Sequence, residues 1–320
     1  MQRALVTGAG GFIGHHLVTT LKERGWWVRG VDLKHPEFSD TDADEFEILD
    51  LRRWDDCLQA ARGVDHVYAL AADMGGMGFI SQNHATILRN NALINLHTIE
   101  AARVHGVERY LYTSSACIYP EYRQLEANVT PLREEDAYPA DPQDAYGWEK
   151  LVTERLCEYY ADEFGMVTRI VRFHNIFGPF GTYEGGREKA PAAMCRKVAM
   201  VDDGGEIEVW GDGEQTRSFC YIDDCTEGIL RLMASDYPHP LNLGQDRLVT
   251  INELAEMVIA VSGKHDVTLR HVDGPQGVRG RNSDNSRLRE VLGWEPQISL
   301  EEGLAHTYRW IEKQLANTSR

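Results

Sequence analysis

Basic charge, paired cysteines and long apolar runs are all scarce in this sequence of 320 residues. Its 33 Lys and Arg are outnumbered by 50 Asp and Glu, which gives a net charge of −17. This balance argues against a general nucleic-acid binder, because such a protein presents a basic face. The six cysteines include no CxxC pair, and neither they nor the histidines have the spacing of a metal site. We therefore expect free thiols, no bound metal and a reducing compartment.

No segment has the composition of a membrane-crossing or exported chain. A run of about 18 uninterrupted apolar residues is missing, and the first residues lack the layout of a signal peptide. We therefore expect a folded cytoplasmic protein with no membrane or nucleic-acid partner.

Short β-rich runs alternate with helical patterns in the first half, which is typical of parallel strands joined by crossover helices. Apolar runs of this kind predict buried strands at residues 4–7, 27–31, 66–71, 109–113 and 168–172. Five or more such strands indicate an α/β fold with a doubly wound parallel sheet, the Rossmann arrangement.

Glycine clusters after about residue 175 indicate a second, smaller α/β domain for the substrate. Residues 218–222 have a strand pattern and 223–234 a helical pattern, and this segment could return to the first sheet. We therefore predict a cofactor domain at 1–175 that also receives about 218–244. The substrate domain then comprises 176–217 and 245–320, and it ends in an amphipathic helix at 300–315.

A glycine-rich turn lies between the first predicted strand and the first helix. Glycines there permit a tight turn and let backbone N–H groups approach a pyrophosphate at the helix N-terminus. The predicted cofactor contacts in this turn are Gly8, Gly11, Phe12, Ile13 and Gly14.

Two acidic residues follow at positions where a cofactor ribose or adenine would lie. Asp32 comes 18 residues after Gly14, at the end of the second predicted strand, where a carboxylate can accept from both ribose hydroxyls. A carboxylate there repels a 2′-phosphate, so we predict NAD rather than NADP. Asp50 is a second candidate, either as an adenine neighbour or as a strand-end cap.

A tyrosine and a lysine are spaced to share one face of a helix. Tyr146 and Lys150 stand at i and i+4. A nearby ammonium favours phenolate and so lowers the pKa of the phenol, which lets Tyr146 take a hydroxyl proton while hydride leaves for the nicotinamide. Ser115 follows a predicted buried strand, at the edge where ligands bind in this architecture, and can hold the same substrate oxygen.

The glycine turn, Ser115 and the Tyr146/Lys150 pair resemble the pattern of the extended short-chain dehydrogenase/reductase superfamily. More specific strings are similar to those of the GDP-mannose 3,5-epimerases, and they lie at residues 73–79, 114–120, 172–181, 185–191, 210–218 and 277–285. The resemblance implies NAD-dependent epimerisation of GDP-α-D-mannose at C3 and C5 to GDP-L-galactose, or at C5 alone to GDP-L-gulose. A transient ketone at C4 acidifies the neighbouring C–H bonds, which a base of ordinary strength cannot otherwise deprotonate.

Inversion at a carbon requires a base on one face and an acid on the other. The resemblance implies Cys117 as the base and Lys189 as the acid. Cys117 lies two residues beyond Ser115, so a locally extended chain would point both side chains the same way. Taken alone, a single cysteine is more often a small buried hydrophobe and a single lysine a surface charge.

The resemblance also implies a set of contacts to GDP-mannose or a related GDP-sugar. An acidic chain must supply cations locally for the diphosphate, and Lys197, Arg217 and Arg281 are the candidates. The full substrate set is Gly75, Ser115, Ala116, Cys117, Asn175, Glu188, Lys189, Ala190, Lys197, Gln215, Thr216, Arg217 and Arg281.

Three alternatives stay open at this point. A nucleotide-sugar 4-epimerase on the same scaffold needs no Cys/Lys pair, and a 4,6-dehydratase usually has carboxylates where Ala116 and Cys117 stand. A non-catalytic NAD-binding scaffold protein has no physical reason to keep Ser115, Tyr146 and Lys150. The superfamily default is a homodimer formed through two helices of each subunit, one of which carries Tyr146.

Overall fold

A seven-stranded sheet organises the chain in the computed structural model, which describes residues 1–75, 77–274 and 277–318. The strands of the described residues are β1 (Arg3–Thr7), β2 (Trp27–Asp32), β3 (Glu45–Ile48), β4 (His66–Ala69), β5 (Arg109–Ser115), β6 (Thr168–Phe173), β7 (Ile176–Phe177), β8 (Glu206–Trp210), β9 (Thr216–Arg217), β10 (Cys220–Tyr221), β11 (Pro240–Leu243), β12 (Val249–Thr250), β13 (Thr268–Val272) and β14 (Gly280–Arg281). The helices are α1 (Phe12–Glu23), α2 (Trp54–Ala61), α3 (Met77–Ile80), α4 (His84–Val104), α5 (Ala145–Phe164), α6 (Ala190–Met200), α7 (Ile222–Ala234), α8 (Ile251–Ser262), α9 (Ser286–Leu292) and α10 (Leu300–Thr318).

The large sheet has the strand order β11-β6-β5-β4-β1-β2-β3, and every neighbouring pair in it is parallel. Helices cover both faces, because α1 and α7 pack in one core cluster and α2, α4 and α5 pack in another. Strands covered on both faces are buried at successive positions, as β4 and most of β5 are. The predicted α/β class with a doubly wound parallel sheet is confirmed.

The strand order reverses between β1 and β4, since the chain fills one side of β1 with β2 and β3 before it returns to the other side. In an open α/β sheet, ligands bind outside the carboxyl ends of the strands at such a switch point. The loops that follow β1, β4 and β5 therefore converge on one crevice.

The chain returns to the large sheet at a different segment from the strand predicted at 218–222. Only Cys220–Tyr221 is extended there, and it pairs with β7 in a separate two-stranded sheet. Helix α7 starts directly at Ile222, which leaves the strand too short to reach the large sheet. Instead α7 packs against α1, and Pro240–Leu243 joins the large sheet beside β6.

The smaller elements form two further sheets and a helical layer. One sheet has the order β12-β9-β14 and the other pairs β13 with β8, while α6, α8 and α10 pack on one another. The C-terminal helix extends three residues beyond the predicted 300–315. Among the described residues, the helices are all too short or too polar to cross a membrane.

Candidate active site

The glycine turn between β1 and α1 is closed to any larger residue. Gly8 has φ +71°, and the Gly11 N–H donates to its carbonyl at 3.1 Å. A Cβ at Gly14 would lie 2.1 Å from the Gly8 oxygen, and a Cβ at Gly10 would lie 2.1 Å from the Lys34 oxygen. The turn therefore has no room for a side chain at Gly10 or Gly14, and its closely packed backbone forms a cradle of amide groups.

Helix α1 begins at Phe12, followed by Ile13, and Gly11 is an N-cap without a side-chain acceptor. The first N–H groups of a helix lack intrahelical partners, so this end is suited to an anion. At the end of β2, the Asp32 carboxylate accepts from the N–H of Gly10 at 3.0 Å and of Leu33 at 2.6 Å. An amide cradle beside a carboxylate fits a dinucleotide with a free 2′-hydroxyl.

Asp50 lies beyond β3 and is engaged within its own loop. Its carboxylate accepts from Arg52 Nη2 at 2.7 Å and Nε at 2.8 Å, and these hydrogen bonds lower its pKa. The Asp50 N–H in turn donates to Asp56 at 2.9 Å. An adenine contact by Asp50 stays a prediction.

The predicted catalytic pair lies on α5, with both side chains buried. Asp144 caps this helix by accepting from Gly147 N at 2.8 Å. Lys150 Nζ donates to the Thr113 carbonyl at 3.0 Å and lies 5.5 Å from the centre of the Tyr146 ring. Ser115 ends β5 and lies near enough to the Tyr146 hydroxyl to lower the pKa of the phenol. The structure therefore brings Ser115, Tyr146 and Lys150 together.

The expected direction of the Tyr146 pKa is wrong for the ligand-free protein. Burial raises this pKa well above its ordinary value, the negative charges of Cys117 and Glu149 add to the rise, and Ser115 opposes it. Burial also lowers the pKa of Lys150. Desolvation is the largest cause of the Tyr146 shift, and it acts opposite to the lowering that the neighbouring lysine predicts.

Cys117 does not continue β5 as an extended chain, which corrects that expectation. Residues Ala116–Ile118 form a 3₁₀ turn, and Ser115 Oγ accepts from Cys117 N at 3.2 Å. Helix α5 packs closely against this turn at Gly147. A Cβ at Gly147 would lie 2.2 Å from the Cys117 oxygen, so the contact requires glycine. Cys117 nevertheless packs against the cluster that Ile80, Ile87 and Tyr146 form, and Arg281 Nη1 donates to its Sγ at 3.4 Å.

Lys189 stands at the N-cap of α6, directly before Ala190. Its side chain is accessible to solvent, yet surrounding protein lowers its pKa by desolvation, and the charges of Cys117 and Cys225 oppose that shift. Lys189 and Cys117 are therefore within electrostatic range of each other. The neighbouring Glu188 accepts from Gly186 N at 2.7 Å and so shapes its own loop.

The loop after β4 meets the loop before Lys189. Gly75 packs against Phe79, to which a Cβ at Gly75 would come within 3.0 Å. Arg187 lies over the Phe79 ring at 4.0 Å from its centre. The matched string at 73–79 includes Gly76, which lies outside the described residues.

Two arginines face each other across neighbouring strands. Arg217 on β9 and Arg281 on β14 are register partners. Arg217 donates to the carbonyls of Thr216 and Val278, both at 2.7 Å, and Arg281 Nε donates to Gln124 Oε1 at 2.6 Å. Burial, together with the charge of Arg281, lowers the pKa of Arg217 to about 9. Like charges opposite each other repel, so an anion beside them is stabilising.

The remaining predicted contacts lie around this sheet. Asn175 has φ +46° and donates to the Ser218 carbonyl at 2.9 Å, and Thr216 Oγ1 donates to a carbonyl in the loop after β5. Gln215 Nε2 donates to the Trp210 carbonyl at 3.1 Å. Lys197 lies 5.7 Å from the Trp210 ring centre, so Trp210 contacts both Lys197 and Gln215.

Lys197 is engaged at its head group, since its Nζ donates to the Glu208 carbonyl at 2.6 Å. It lines a cleft of about 320 Å³ between α6 and β8, where desolvation lowers its pKa. Within residues 1–75, 77–274 and 277–318, no group of three or more His, Cys, Asp or Glu side chains is placed to hold a metal ion.

Comparison with known proteins decides the family. Residues 4–244 match the NAD dependent epimerase/dehydratase family. The chain belongs to this family. It is 54% identical over 312 residues to the GDP-mannose 3,5-epimerase of Arabidopsis thaliana, and 53% identical over 315 residues to GDP-mannose 3,5-epimerase 1 of Oryza sativa subsp. japonica. These matches cover 97% and 98% of this chain and 82% of each relative.

The epimerase/dehydratase fold also appears among solved structures. The UDP-glucose 4-epimerase of Thermotoga maritima, solved with UDP-glucose, superposes with a TM-score of 0.86 at 27% identity, over 98% of this chain and 100% of that one. The predicted resemblance, the isomerase class and the NAD dependence are confirmed by these matches.

Sequence reasoning missed several residues that support this epimerase site. Glu149, between the two catalytic candidates, is buried and bonded to Asn91 and Asn95 of α4. The i, i+4 spacing of those asparagines is a signal for one shared helix face. Gln124, the acceptor for Arg281, follows an irregular segment and carries no such signal.

Proposed function

We propose that this epimerase inverts C3 and C5 of GDP-mannose to give GDP-L-galactose, with GDP-L-gulose as the product of inversion at C5 alone. One observation carries the proposal: a thiol packs in the cluster of the oxidising tyrosine, and an ammonium lies within electrostatic range of that thiol. Cys117 packs against the cluster of Ile80, Ile87 and Tyr146, and Lys189 lies within electrostatic range of its sulfur. Removal and return of a carbon-bound proton on opposite faces needs such a pair.

Oxidation at C4 comes first. Ser115 holds the C4 oxygen, and Tyr146 as phenolate takes its proton. Lys150, at 5.5 Å from the ring centre, favours the phenolate once the site is filled. Gly8, Gly11, Phe12, Ile13 and Gly14 would hold the NAD diphosphate, and Asp32 would hold its ribose. Bound there, NAD would supply the oxidation at C4 and the later reduction.

The ketone at C4 then acidifies the C–H bonds at C3 and C5. Cys117 as thiolate removes a proton from one face, and Lys189 as ammonium donates a proton to the other face. Arg281 holds the sulfur by its contact at 3.4 Å. Cys117 then loses its proton to solvent and Lys189 takes one up, which restores the pair for the second carbon. Tyr146 finally returns its proton to the C4 oxygen.

The GDP portion lies on the smaller domain. Arg217 and Arg281 meet the diphosphate, since their opposed charges are stabilised by an anion, and Lys197 with Gln215 and Thr216 lies toward the nucleoside. Gly75, Ala116, Asn175, Glu188 and Ala190 flank the sugar. In this proposal residues 1–175 with about 218–244 bind the cofactor, and 176–217 with 245–320 bind the substrate.

Product analysis distinguishes the proposed 3,5-epimerase from a 4-epimerase or a 4,6-dehydratase. The NAD-loaded protein is incubated with GDP-mannose, and the sugars are identified by NMR. GDP-L-galactose and GDP-L-gulose are expected. Formation of only the C4 epimer, or of a 4-keto-6-deoxy sugar, would overturn the proposal.

We further propose a homodimer formed by a second copy of the chain on α4 and α5. These neighbouring helices expose apolar side chains, namely Leu88, Leu96, Trp148, Val152 and Tyr159. Val152→Asp is expected to give a monomer in light scattering after size exclusion. Leu125→Asp, at an exposed apolar position outside these helices, is the control and stays dimeric.

A further inference from the structure

Glu149 is a buried carboxylate that the mechanism above leaves unused. It lies between Tyr146 and Lys150 on α5 and is 2% exposed. Glutamate is almost never fully buried unless it is paired, because removing a charge from water is costly. A carboxylate buried beside the catalytic pair therefore needs partners that stabilise its charge.

Two asparagines of α4 hold this carboxylate. Asn91 Nδ2 donates to one oxygen at 2.8 Å, and Asn95 Nδ2 donates to the other at 3.0 Å. The opposite charge is Lys150, whose Nζ lies 3.9 Å from Glu149 Oε1 while it donates to the Thr113 carbonyl. The interaction with Lys150 is therefore electrostatic, and the amides fix its geometry.

The same amide connects Glu149 to the loop of Gly75. Asn91 Oδ1 accepts from Asp73 N at 2.6 Å, and Asn91 Nδ2 lies 3.1 Å from the Asp73 carbonyl. One side chain of α4 thus holds both the carboxylate beside Lys150 and the backbone two residues before Gly75.

We propose that Glu149 is a positioning residue that acts through Tyr146 and Lys150, setting the proton occupancy of both by its fixed negative charge. The inference rests on the proposed roles of Tyr146 and Lys150, but not on the identity of the sugar nucleotide. Glu149 itself touches no reacting atom.

The direction of the effect follows from the charges around the pair. Glu149 raises the pKa of Lys150 against the lowering by burial, and it raises the pKa of Tyr146. Other charged or titratable groups facing the pair are Cys117 from the 3₁₀ turn, Tyr112 from β5, and Asp144, Glu154 and Cys157 from α5 and its cap. Loss of the Glu149 charge therefore lowers both pKa values, and both limbs of the pH–rate profile move to lower pH.

The test is Glu149→Gln, which keeps the shape of the side chain and removes its charge. With NAD bound, Tyr146 is titrated by ¹³C NMR of ring-labelled tyrosine, and its signal is assigned by its loss in Tyr146→Phe. The expected result is a Tyr146 titration about one pH unit lower, the tenfold change in proton affinity that corresponds to about 1.4 kcal/mol. Glu158→Gln, which removes a carboxylate paired with Arg155 on the same helix, is the control and leaves the titration in place.

An unchanged Tyr146 titration in Glu149→Gln, with activity reduced at every pH, would overturn the proposal and leave Glu149 a structural residue. If that variant does not fold, Asn95→Leu replaces it. Loss of this amide hydrogen bond raises the pKa of Glu149, so the carboxylate is protonated more often and the titration again shifts to lower pH. The NMR titration needs no substrate, so absence of turnover with GDP-mannose counts against the proposed function alone.

Discussion

Replacement of Arg281 by methionine tests whether this arginine mainly binds a diphosphate or mainly stabilises the fold. Arg281 and Arg217 are register partners on neighbouring strands, which lie about 4.8 Å apart. Two unit charges about 4–8 Å apart at an effective dielectric constant of about 20 repel each other by about 2–4 kcal/mol. Arg281→Met relieves this repulsion in the ligand-free protein.

The substitution also removes two favourable contacts. Arg281 donates to Gln124 at 2.6 Å and to Cys117 at 3.4 Å, and such contacts contribute about 1 kcal/mol each, or slightly more where a buried acceptor is left unpaired. The gain and the loss nearly cancel. We therefore expect the ligand-free free energy of unfolding to change by less than about 1 kcal/mol, a Tm change of about 2 °C at most.

Binding responds differently, because a hydrogen bond to a charged group contributes about 1.5–3 kcal/mol. Arg281→Met should weaken GDP binding by about 10- to 150-fold in isothermal titration calorimetry, while guanosine binds equally to both forms. Arg279→Met is the matched control, since Arg279 pairs with Asp212 at 2.8 Å, and it leaves GDP affinity unchanged. A Tm loss of more than about 5 °C with intact GDP affinity would refute the reasoning and make Arg281 a structural residue.

Three further predictions concern the cofactor turn, the proton donor and a buried histidine. Gly10→Ala places a Cβ 2.1 Å from the Lys34 oxygen and so displaces the glycine turn. NAD affinity measured by fluorescence titration should fall at least about tenfold, and unchanged affinity would contradict the proposed binding of NAD at this turn. Desolvation lowers the pKa of Lys189 below its ordinary 10.5, so the rate of isotope exchange should begin to fall with rising pH before pH 10.5 is reached. Lys189→Arg should slow the exchange by about 100-fold or more, and a normal rate would exclude Lys189 as the acid. Burial lowers the pKa of His174 to about 3, so between pH 6.5 and 3 only the unfolded chain gains this proton, and stability falls by up to about 1.4 kcal/mol per pH unit. Urea unfolding of His174→Gln should show a flatter pH dependence over pH 5–6.5, and an unaltered slope would mean that His174 does not cause it.

The sequence predicts best those strands that are buried on both faces. β1, β2, β5 and β6 are almost entirely buried, so each contains apolar residues that stand out from the flanking sequence. The edge strand β3 reads Glu-Phe-Glu-Ile with no residue fully buried, and it carries no such run. The two-residue strands β9 and β14 have no periodicity, so the pairing that opposes Arg217 and Arg281 depends on contacts between distant segments.

Sequence motifs predict which residues form the candidate site, but they do not predict the pKa shifts within it. The spacing of Tyr146 and Lys150 predicts a shared face, and the structure has it. The direction of the Tyr146 pKa depends on burial by the surrounding elements, which a pairwise argument omits. The 3₁₀ turn at Cys117 depends on the approach of Gly147, a contact between segments that the sequence does not reveal.

Hydrogen exchange with solvent tests the pairing of Cys117 with Lys189 most directly. GDP-mannose is incubated with the NAD-loaded protein in deuterated water, and the recovered sugars are analysed by NMR. We predict deuterium at C3 and C5 with the natural chain, and with Cys57→Ser, whose buried hydroxyl can keep the 3.1 Å hydrogen bond to Leu51. We predict at least about 100-fold slower incorporation with Cys117→Ser. Absence of deuterium from products of the natural chain, or undiminished incorporation with Cys117→Ser, would contradict the account.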